Sequence, residues 1–501
     1  MRGTKTGLLT GIVLLSSIGA AAQDSATGGD TLETVLETVY RSNPQLLAER
    51  ARLREVDENY VQARAQGRPT LGLGGSASYE ATRSPGGEPN PFNPDAGDWI
   101  GVTPRSAQVQ LIQPVYQGGR VRALKQQARA GILAARAGLE GAENSVFLSA
   151  ASAYVDVLRD REAARIRRNN VRVLSRQLEA ADARFELGAG TRTDVAQSRA
   201  RLAASEAGLA QADAQLDVSR ARFVRLVGRM PDRLSPAPTI VLPDSLDAAI
   251  ALARENNPQL LASYYGELAG EAAIDVAKAA GRPTVSLQTS IARARGSFLG
   301  FQDADQAIIG AQINVPIFSG GINASRVRQA KQARTRLGFE TRDAERAVDE
   351  AVTQVWAQLD ASRRIVETSQ RQVEAAEVAF EGVQLEQEVG TRTQLDVLDA
   401  EQETLNAQLT LLDAQRGLDA ATFQLLATIG VFDAAGLSLD VASYDPDAYL
   451  DDIVDDGFQR ALERVVPERL QSEDIDLVDY ETLRGELDAT DLPETLGPEG
   501  P

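Results

Sequence analysis

Two carboxylates in the C-terminal half of the chain, Asp396 and Asp399, are the side chains with the clearest capacity for chemistry. Three positions apart on a helix, they lie about 60° apart around the axis and about 4.5 Å along it, so both can face one side. Such a pair could act as acid and base, or could place a ring of charge around a pore. The absence of cysteine and histidine excludes thiol chemistry, histidine acid–base catalysis and nearly every zinc site.

An enzyme is the least favoured interpretation of this pair, because the sequence around it shows nothing that would shape a substrate site. No catalytic residue, cofactor or metal is therefore predicted. Four later acids, Asp451, Asp452, Asp455 and Asp456, lack the spacing of a calcium-binding loop. The net charge of −19 argues against nucleic acid as a partner, because binding phosphates requires clustered lysine and arginine.

The elements that position these acids are organised by an internal duplication. Residues 43–48 recur letter for letter as 257–262, and residues 67–70 recur as 281–284, both at an offset of 214. Later matches follow at an offset of 202, so the second copy is 12 residues shorter. The period is far too long for a solenoid repeat, and each copy is predicted to form half of one architecture.

The N-terminus predicts export. Residues 1–22 carry Arg2 and Lys5, then an apolar run, then three alanines as a cleavage site, which is the pattern of a signal peptide. Beyond this segment no stretch approaches the roughly 20 apolar residues of a transmembrane helix. Any membrane span is therefore expected to consist of strands.

Four strands are predicted, over 70–82 and 105–116 in the first copy and over 284–296 and 306–318 in the second. Apolar and small polar residues alternate along each of them, as in membrane barrel strands. The alternative is a sheet half buried in a soluble protein. Four strands cannot close a membrane barrel, whereas three chains would supply twelve.

Long helices account for the rest of each copy. No proline interrupts residues 120–187, which predicts one helix of about 100 Å. The first repeat, 23–240, contains a long helix hairpin at 120–228, and the second repeat, 241–436, contains one at 322–430. We expect the return path that ends at Gly228 to resume at Pro258.

The C-terminal segment, 437–501, is strongly acidic. From Asp440 onward it holds 19 acidic residues and 4 arginines, a net −15 of the total −19. This composition predicts a largely disordered tail. The alternative is a short helix against the outer wall of the tunnel, formed by Phe458, Leu462, Val465 and Val466.

The stretch Glu388 to Ala400 resembles the corresponding stretch of the TolC family of outer membrane factors, and the resemblance runs from about Asp30 to about Gly436. It implies a mainly α protein with membrane β: a trimeric 12-stranded outer-membrane β-barrel continuous with a 12-helix periplasmic α-barrel. It also implies a periplasmic adaptor and an inner-membrane transporter of RND or ABC type as partners. Gln387 stands where the family has a gate tyrosine.

The resemblance also assigns roles at the two helix turns. With threefold symmetry, the spacing of Asp396 and Asp399 would set six carboxylates around the narrow end of the tunnel as the pore gate. By resemblance, Arg392 and Thr393 would help to hold it closed through hydrogen bonds to neighbouring helices. The alternative for the carboxylates is a solvated helix face. Adaptor docking would use both turns, for which plain hairpin chemistry is the other interpretation. The docking residues are Leu187, Gly188, Ala189, Gly190, Thr191, Val389, Gly390 and Thr391.

The predicted function is an exit duct for efflux or type I secretion, in contact with outer-membrane lipid and with a large periplasmic portion. It would be passive, so energy would come from a partner. The rival interpretation is a soluble periplasmic coiled-coil assembly, which would not need four strands with one apolar face.

Overall fold

The computed structural model describes residues 30–83, 99–238, 240–296 and 303–454. The predicted signal peptide and the acidic residues after 454 lie outside these ranges. The chain divides into two units, Met1–Pro446 and Asp447–Pro501. The described part of the second unit is a short helical stretch at 448–454.

Eight helices in the described ranges follow the duplication closely. The two longest, α3 and α7, have 67 residues each, or about 100 Å. Within the described residues no helix combines the length and apolar character needed to cross a membrane. The helices are α1 (Leu32–Ser42), α2 (Pro44–Ala65), α3 (Arg120–Glu186), α4 (Arg192–Val227), α5 (Leu246–Asn256), α6 (Pro258–Ala279), α7 (Ile322–Glu388) and α8 (Gln394–Ile429).

The strands form one four-stranded antiparallel sheet in the order β1-β4-β5-β6, with a two-stranded extension of β2 and β3. The central pair, β4 and β5, joins the first copy to the second. Among the described residues, β1 and β6 each keep one unpaired edge. The strands are β1 (Thr70–Ala77), β2 (Glu80–Arg83), β3 (Trp99–Val102), β4 (Arg105–Gln117), β5 (Thr284–Arg295) and β6 (Asp303–Asn314).

Two of the expected strands have other bounds in the structure: β6 runs over Asp303–Asn314 and not over 306–318, and the first strand ends early. The strand over 70–82 is interrupted after Ala77, because the residue facing Ser78 is Pro104, which has no N–H; the Ser78 N–H donates to the Pro104 carbonyl at 3.0 Å. Pro114, by contrast, lies inside β4. Pairing of β4 with β1 ends at Ile112, and a register shift after Pro114 adjusts the pairing with β5.

The helix stacking also differs from the expected path. Asn43 caps α2 through its Oδ1, and its Nδ2 donates to the Leu226 carbonyl at the end of α4, at 3.0 Å. Asn257 caps α6 in the same way and donates to the Thr428 carbonyl of α8 at 2.8 Å. The end of α4 is therefore joined to α2 of its own copy, not to α6 as the chain order suggested.

The largest apolar core lies where α1 and the segment after α8 pack on the middle of α3. Phe147, Phe423 and Phe432 are fully buried there. The segment after α8 remains in this core beyond residue 437, since the Arg41 Nη2 donates to the Asp440 carbonyl at 2.9 Å and the Tyr444 N–H donates to the Tyr40 hydroxyl at 2.9 Å. The acidic tail expected from 437 thus starts with about ten residues that belong to the main unit, which ends at Pro446.

Candidate functional site

The first turn, between α3 and α4, closes with backbone hydrogen bonds. The N–H of Ala189 donates to the Arg184 carbonyl at 2.8 Å, and Gly188 adopts φ +72°, a left-handed conformation that glycine tolerates. Thr191 then caps α4. Its hydroxyl accepts from the Asp194 N–H at 3.2 Å, while Asp194 Oδ2 accepts from the Thr191 N–H at 2.9 Å. The turn is thus fixed by a capping box.

The second turn, between α7 and α8, repeats this geometry. The N–H of Thr391 donates to the Glu386 carbonyl at 2.9 Å, and Gly390 has φ +83°. Thr393 caps α8, and Asp396 Oδ2 accepts from the Thr393 N–H at 2.8 Å. The duplicated sequence therefore produces two equivalent, well-defined turns.

Each turn presents an aliphatic side chain at its apex. Leu187 is 85% exposed and Val389 is 75% exposed, although both side chains are apolar. The backbone hydrogen bonds fix each turn in the conformation that holds these side chains in solvent. Two rigid turns with exposed aliphatic apices could bind an apolar pocket on another protein.

The two predicted gate carboxylates have separate partners. Asp396 is held in the capping box, where hydrogen bonds from the Thr393 N–H and hydroxyl lower its pKa. Asp399 accepts from Arg201 Nη2 of α4 at 2.5 Å. Arg392 Nε donates to Glu386 Oε2 of α7 at 2.8 Å, across the hairpin, whereas Thr393 bonds within its own helix turn. Asp399 is exposed, and Asp396 is partly buried.

Sequence reasoning missed a buried carboxylate nearby. Glu401 is only 7% exposed between α8 and α3. Its Oε1 accepts from Asn170 Nδ2 at 2.9 Å and its Oε2 from Gln177 Nε2 at 2.8 Å, while Ser205 of α4 donates to Asn170 Oδ1 at 2.6 Å. Burial raises the pKa of Glu401 to about 7. The hydrogen bonds from the side-chain amides of Gln177 and Asn170 lower the pKa and offset only part of this effect.

Further polar contacts join α8 to the first hairpin. At the tip, Arg184 Nη1 donates to Gln394 Oε1 at 3.0 Å, and Gln387 Nε2 donates to the same oxygen at 3.3 Å. Gln387, at the position of the family's gate tyrosine, thus takes part in a hydrogen-bond network between the α3–α4 hairpin and the α7–α8 hairpin. Farther from the tip, Arg159 of α3 forms an ion pair with Asp413 of α8 at 2.9 Å. Among the described residues, no group of three or more acidic, histidine or cysteine side chains could hold a metal ion.

The sequence and the fold are both similar to those of known outer membrane proteins. The family described as "Outer membrane efflux protein" matches residues 35–229 and 249–431. Outer membrane efflux protein BepC of Brucella suis biovar 1 is 32% identical over 455 residues, which cover 90% of this chain and 96% of that protein. Outer membrane protein TolC of Escherichia coli is 24% identical over 80% of this chain and 82% of that protein. The crystal structure of VceC from Vibrio cholerae superposes with a TM-score of 0.65 at 23% identity, covering 80% of this chain and 96% of that one.

Proposed function

Because the chain belongs to the outer membrane efflux protein family, we propose that three copies of it form one closed channel through the outer membrane and the periplasm. The protein is an exit duct for efflux or secretion, placed in the outer membrane with a periplasmic portion. In the trimer, twelve strands would close a barrel and the long helices α3, α4, α7 and α8 would supply a twelve-helix tunnel. The duct itself is passive, with no catalytic residue.

One observation carries the trimer: the contact between the two copies inside a chain is of a kind that can recur between chains. In the chain, β4 of the first copy pairs with β5 of the second, and Arg282 Nη1 donates to the Gly118 carbonyl at 3.1 Å. The equivalent elements on the outer edges are β6 and β1, which lack these partners in a single chain. Applying the same contact between neighbours leaves no open edge once a ring closes, and six units, which are three chains, supply the twelve strands proposed for the barrel.

The sheet supports a membrane location for this ring. Leu73, Ile291 and Ile309 lie on one face and are highly exposed in the single chain. The opposite face carries glycine, serine and glutamine, which suits a polar lumen. A soluble coiled-coil assembly would leave the apolar face in water, so the rival interpretation is disfavoured.

A disulfide test follows from the equivalence. Gln110 of β4 pairs with Ser290 of β5; the offsets convert this pair into Gln312 of one chain and Ser76 of the next. Antiparallel partners have Cα atoms about 4.5–5.5 Å apart, within disulfide range. Since the chain has no cysteine, Ser76→Cys with Gln312→Cys is expected to give a covalent trimer on mild oxidation, seen on denaturing gels.

The matched controls use the same chemistry at other positions. Gln110→Cys with Ser290→Cys should oxidise within one chain and run as a monomer. Ser76→Cys with Ala304→Cys, far out of register, should not crosslink. A monodisperse monomer by native mass spectrometry that still conducts in bilayers would refute the trimer.

We propose the two turns as the docking site for a periplasmic adaptor, which links the duct to an inner-membrane transporter of RND or ABC type. The docking residues are those at the turn apices, Leu187 to Thr191 and Val389 to Thr391. The support is the pair of exposed aliphatic side chains on a rigid, repeated backbone. Association through such apices requires no change in the fold.

The same hairpin tips would gate the channel. Threefold symmetry would place six carboxylates, from Asp396 and Asp399, around the narrow end of the tunnel. Unit charges about 8 Å apart repel by roughly 0.5 kcal/mol even at the dielectric of water, so the ring would favour multivalent cations. Arg392 and Thr393 would fix the turn that carries the ring, through the bonds to Glu386 and Asp396.

Charge removal tests the gate without disturbing the turn. Asp396→Asn with Asp399→Asn keeps an acceptor in the capping box, so we expect lower cation selectivity and loss of block by trivalent cations in single-channel recordings. The matched control is Asp194→Asn, the same capping position in the first copy, which should leave both properties unchanged. Identical block in wild type and double variant would exclude these two residues from the gate.

A further inference from the structure

The apolar face of the sheet ends in charge at the end away from the long helices. Strand register places Ala77, Arg105, Arg295 and Asp303 in one row across the four strands, and Gly75, Ala107, Arg293 and Asp305 in the row below. These side chains share the face of Leu73, Val109 and Ile291, because all of them occupy alternate positions in the same register. The charged rows therefore top the apolar face and do not face the lumen.

Three guanidinium groups meet only two carboxylates in these rows. Arg293 makes a bidentate pair with Asp305, at 2.8 and 2.7 Å, and Arg295 pairs with Asp303 at 3.0 Å. Arg105 lies directly opposite Arg295 and has no ion-pair partner among the described residues. Like charges directly opposite each other on a sheet repel unless an anion lies between them.

The depth of these rows suits a lipid headgroup. From Val285 to Arg293 the strand rises about 26 Å, which becomes about 20 Å of vertical height at the tilt of barrel strands. The apolar rows would thus fill most of the hydrocarbon layer, and the arginines would reach the headgroup level. With the helices in the periplasm, this end of the sheet lies toward the outer leaflet.

We propose that Arg105, with Arg295 and Arg293, binds a phosphate on the sugar headgroup of an acylated glycolipid in the outer leaflet, an inference that rests on the proposed lipid-facing sheet. Guanidinium groups bind phosphate through paired hydrogen bonds, and one phosphate between Arg105 and Arg295 removes their repulsion. The lipid, not free phosphate, is the ligand, because the apolar rows below the arginines provide a surface for its acyl chains. Each protomer contributes one such site.

The test measures lipid bound to the intact trimer by native mass spectrometry. The probes are diphosphorylated lipid A, the same lipid after removal of both phosphates, and inorganic phosphate. We expect the diphosphorylated lipid to bind with up to three copies per trimer, and Arg105→Gln to weaken its binding about tenfold or more, since the variant loses a charge-assisted hydrogen bond to the phosphate. Asp303→Asn should strengthen binding, because it removes a competing carboxylate.

Arg120→Gln, at the opposite end of the sheet, is the matched control and should bind like wild type. Equal binding of the phosphorylated and dephosphorylated lipids, or wild-type binding by Arg105→Gln, would overturn the phosphate site. Binding of inorganic phosphate with the same affinity would overturn the lipid as its ligand. Trimer mass and bilayer conductance, recorded on the same samples, distinguish a failure of this site from a failure of the channel architecture.

Discussion

Replacing the two apical aliphatic residues, Leu187 and Val389, by glutamate is expected to abolish transport while leaving the assembled channel in the membrane. Both side chains are solvent-exposed at the apices of the turns, so the fold should tolerate the change. Docking, in contrast, would bury an unpaired carboxylate at each apex, at a cost of several kcal/mol. Because each 1.4 kcal/mol is a factor of about ten in affinity, adaptor binding would fall by orders of magnitude.

The measurement is transport in cells that depend on this channel, together with the amount of channel in the outer membrane and adaptor recovered with it. The matched control exchanges the two apices, Leu187→Val with Val389→Leu, which keeps both apolar and should transport normally. Normal transport by the glutamate double variant would show that the apices are not the docking site.

Replacing Glu401 by glutamine is expected to stabilise the protein at neutral and alkaline pH. Above its pKa the carboxylate is a buried charge held by two neutral amides, Asn170 and Gln177, with no cation bonded to it. Gln177 also has a buried Oε1 without a hydrogen-bond partner, which the new amide N–H₂ can reach if the Gln177 amide rotates. A pKa raised from 4.5 to about 7 corresponds to an expected gain of roughly 1–3 kcal/mol.

The pH window follows from the direction of the shift. Between the ordinary pKa of 4.5 and the folded value of about 7, the folded protein retains the Glu401 proton that the unfolded chain has released. Stability contributed by this group is therefore complete below pH 4.5 and is lost as the pH rises to about 7. Wild type should lose thermal stability relative to Glu401→Gln across that window, and the difference should then stay constant.

Other acidic side chains lie close to Glu401, so the control must come from the same surroundings. Glu377 and Glu381 of α7 line the cavity that Glu401 borders, and Asp399 pairs with Arg201 nearby. Glu377 is exposed and accepts from Gln408 at 3.0 Å. Glu377→Gln should follow the wild-type pH profile; if it matched Glu401→Gln instead, the effect would belong to the general charge of the region.

Periodicity and proline placement predicted the long elements well, because they depend on local chemistry. The helix expected over 120–187 runs from Arg120 to Glu186. The capping role of Asp396 was not predicted, although Thr393 and Asp396 have capping-box spacing. The buried Glu401 had a weaker signal: it falls on the helical stripe of Leu398 and Leu405, both buried.

The joints between stacked helices were not predictable in the same way. The N-cap and the first five helical residues are the same in α2 and α6, Asn-Pro-Gln-Leu-Leu-Ala. Either asparagine could therefore cap its own helix and donate a hydrogen bond to the last carbonyls of α4. Chain order favoured Asn257, which was wrong. Only the three-dimensional arrangement distinguishes Asn43 from Asn257 as the partner of Leu226.

The two unpaired edges of the sheet also constrain how the channel is made. Within the part of the chain that the structure describes, nothing pairs with the outer edges of β1 and β6 or covers the apolar sheet face. Exposed edges of this kind pair with any available strand, so single chains are prone to aggregate. Formation of the proposed trimer then requires collisions between chains, so its rate rises steeply with chain concentration, in competition with misassembly. The yield of assembled channel will therefore depend on the expression level and on chaperones that shield the sheet between export and assembly.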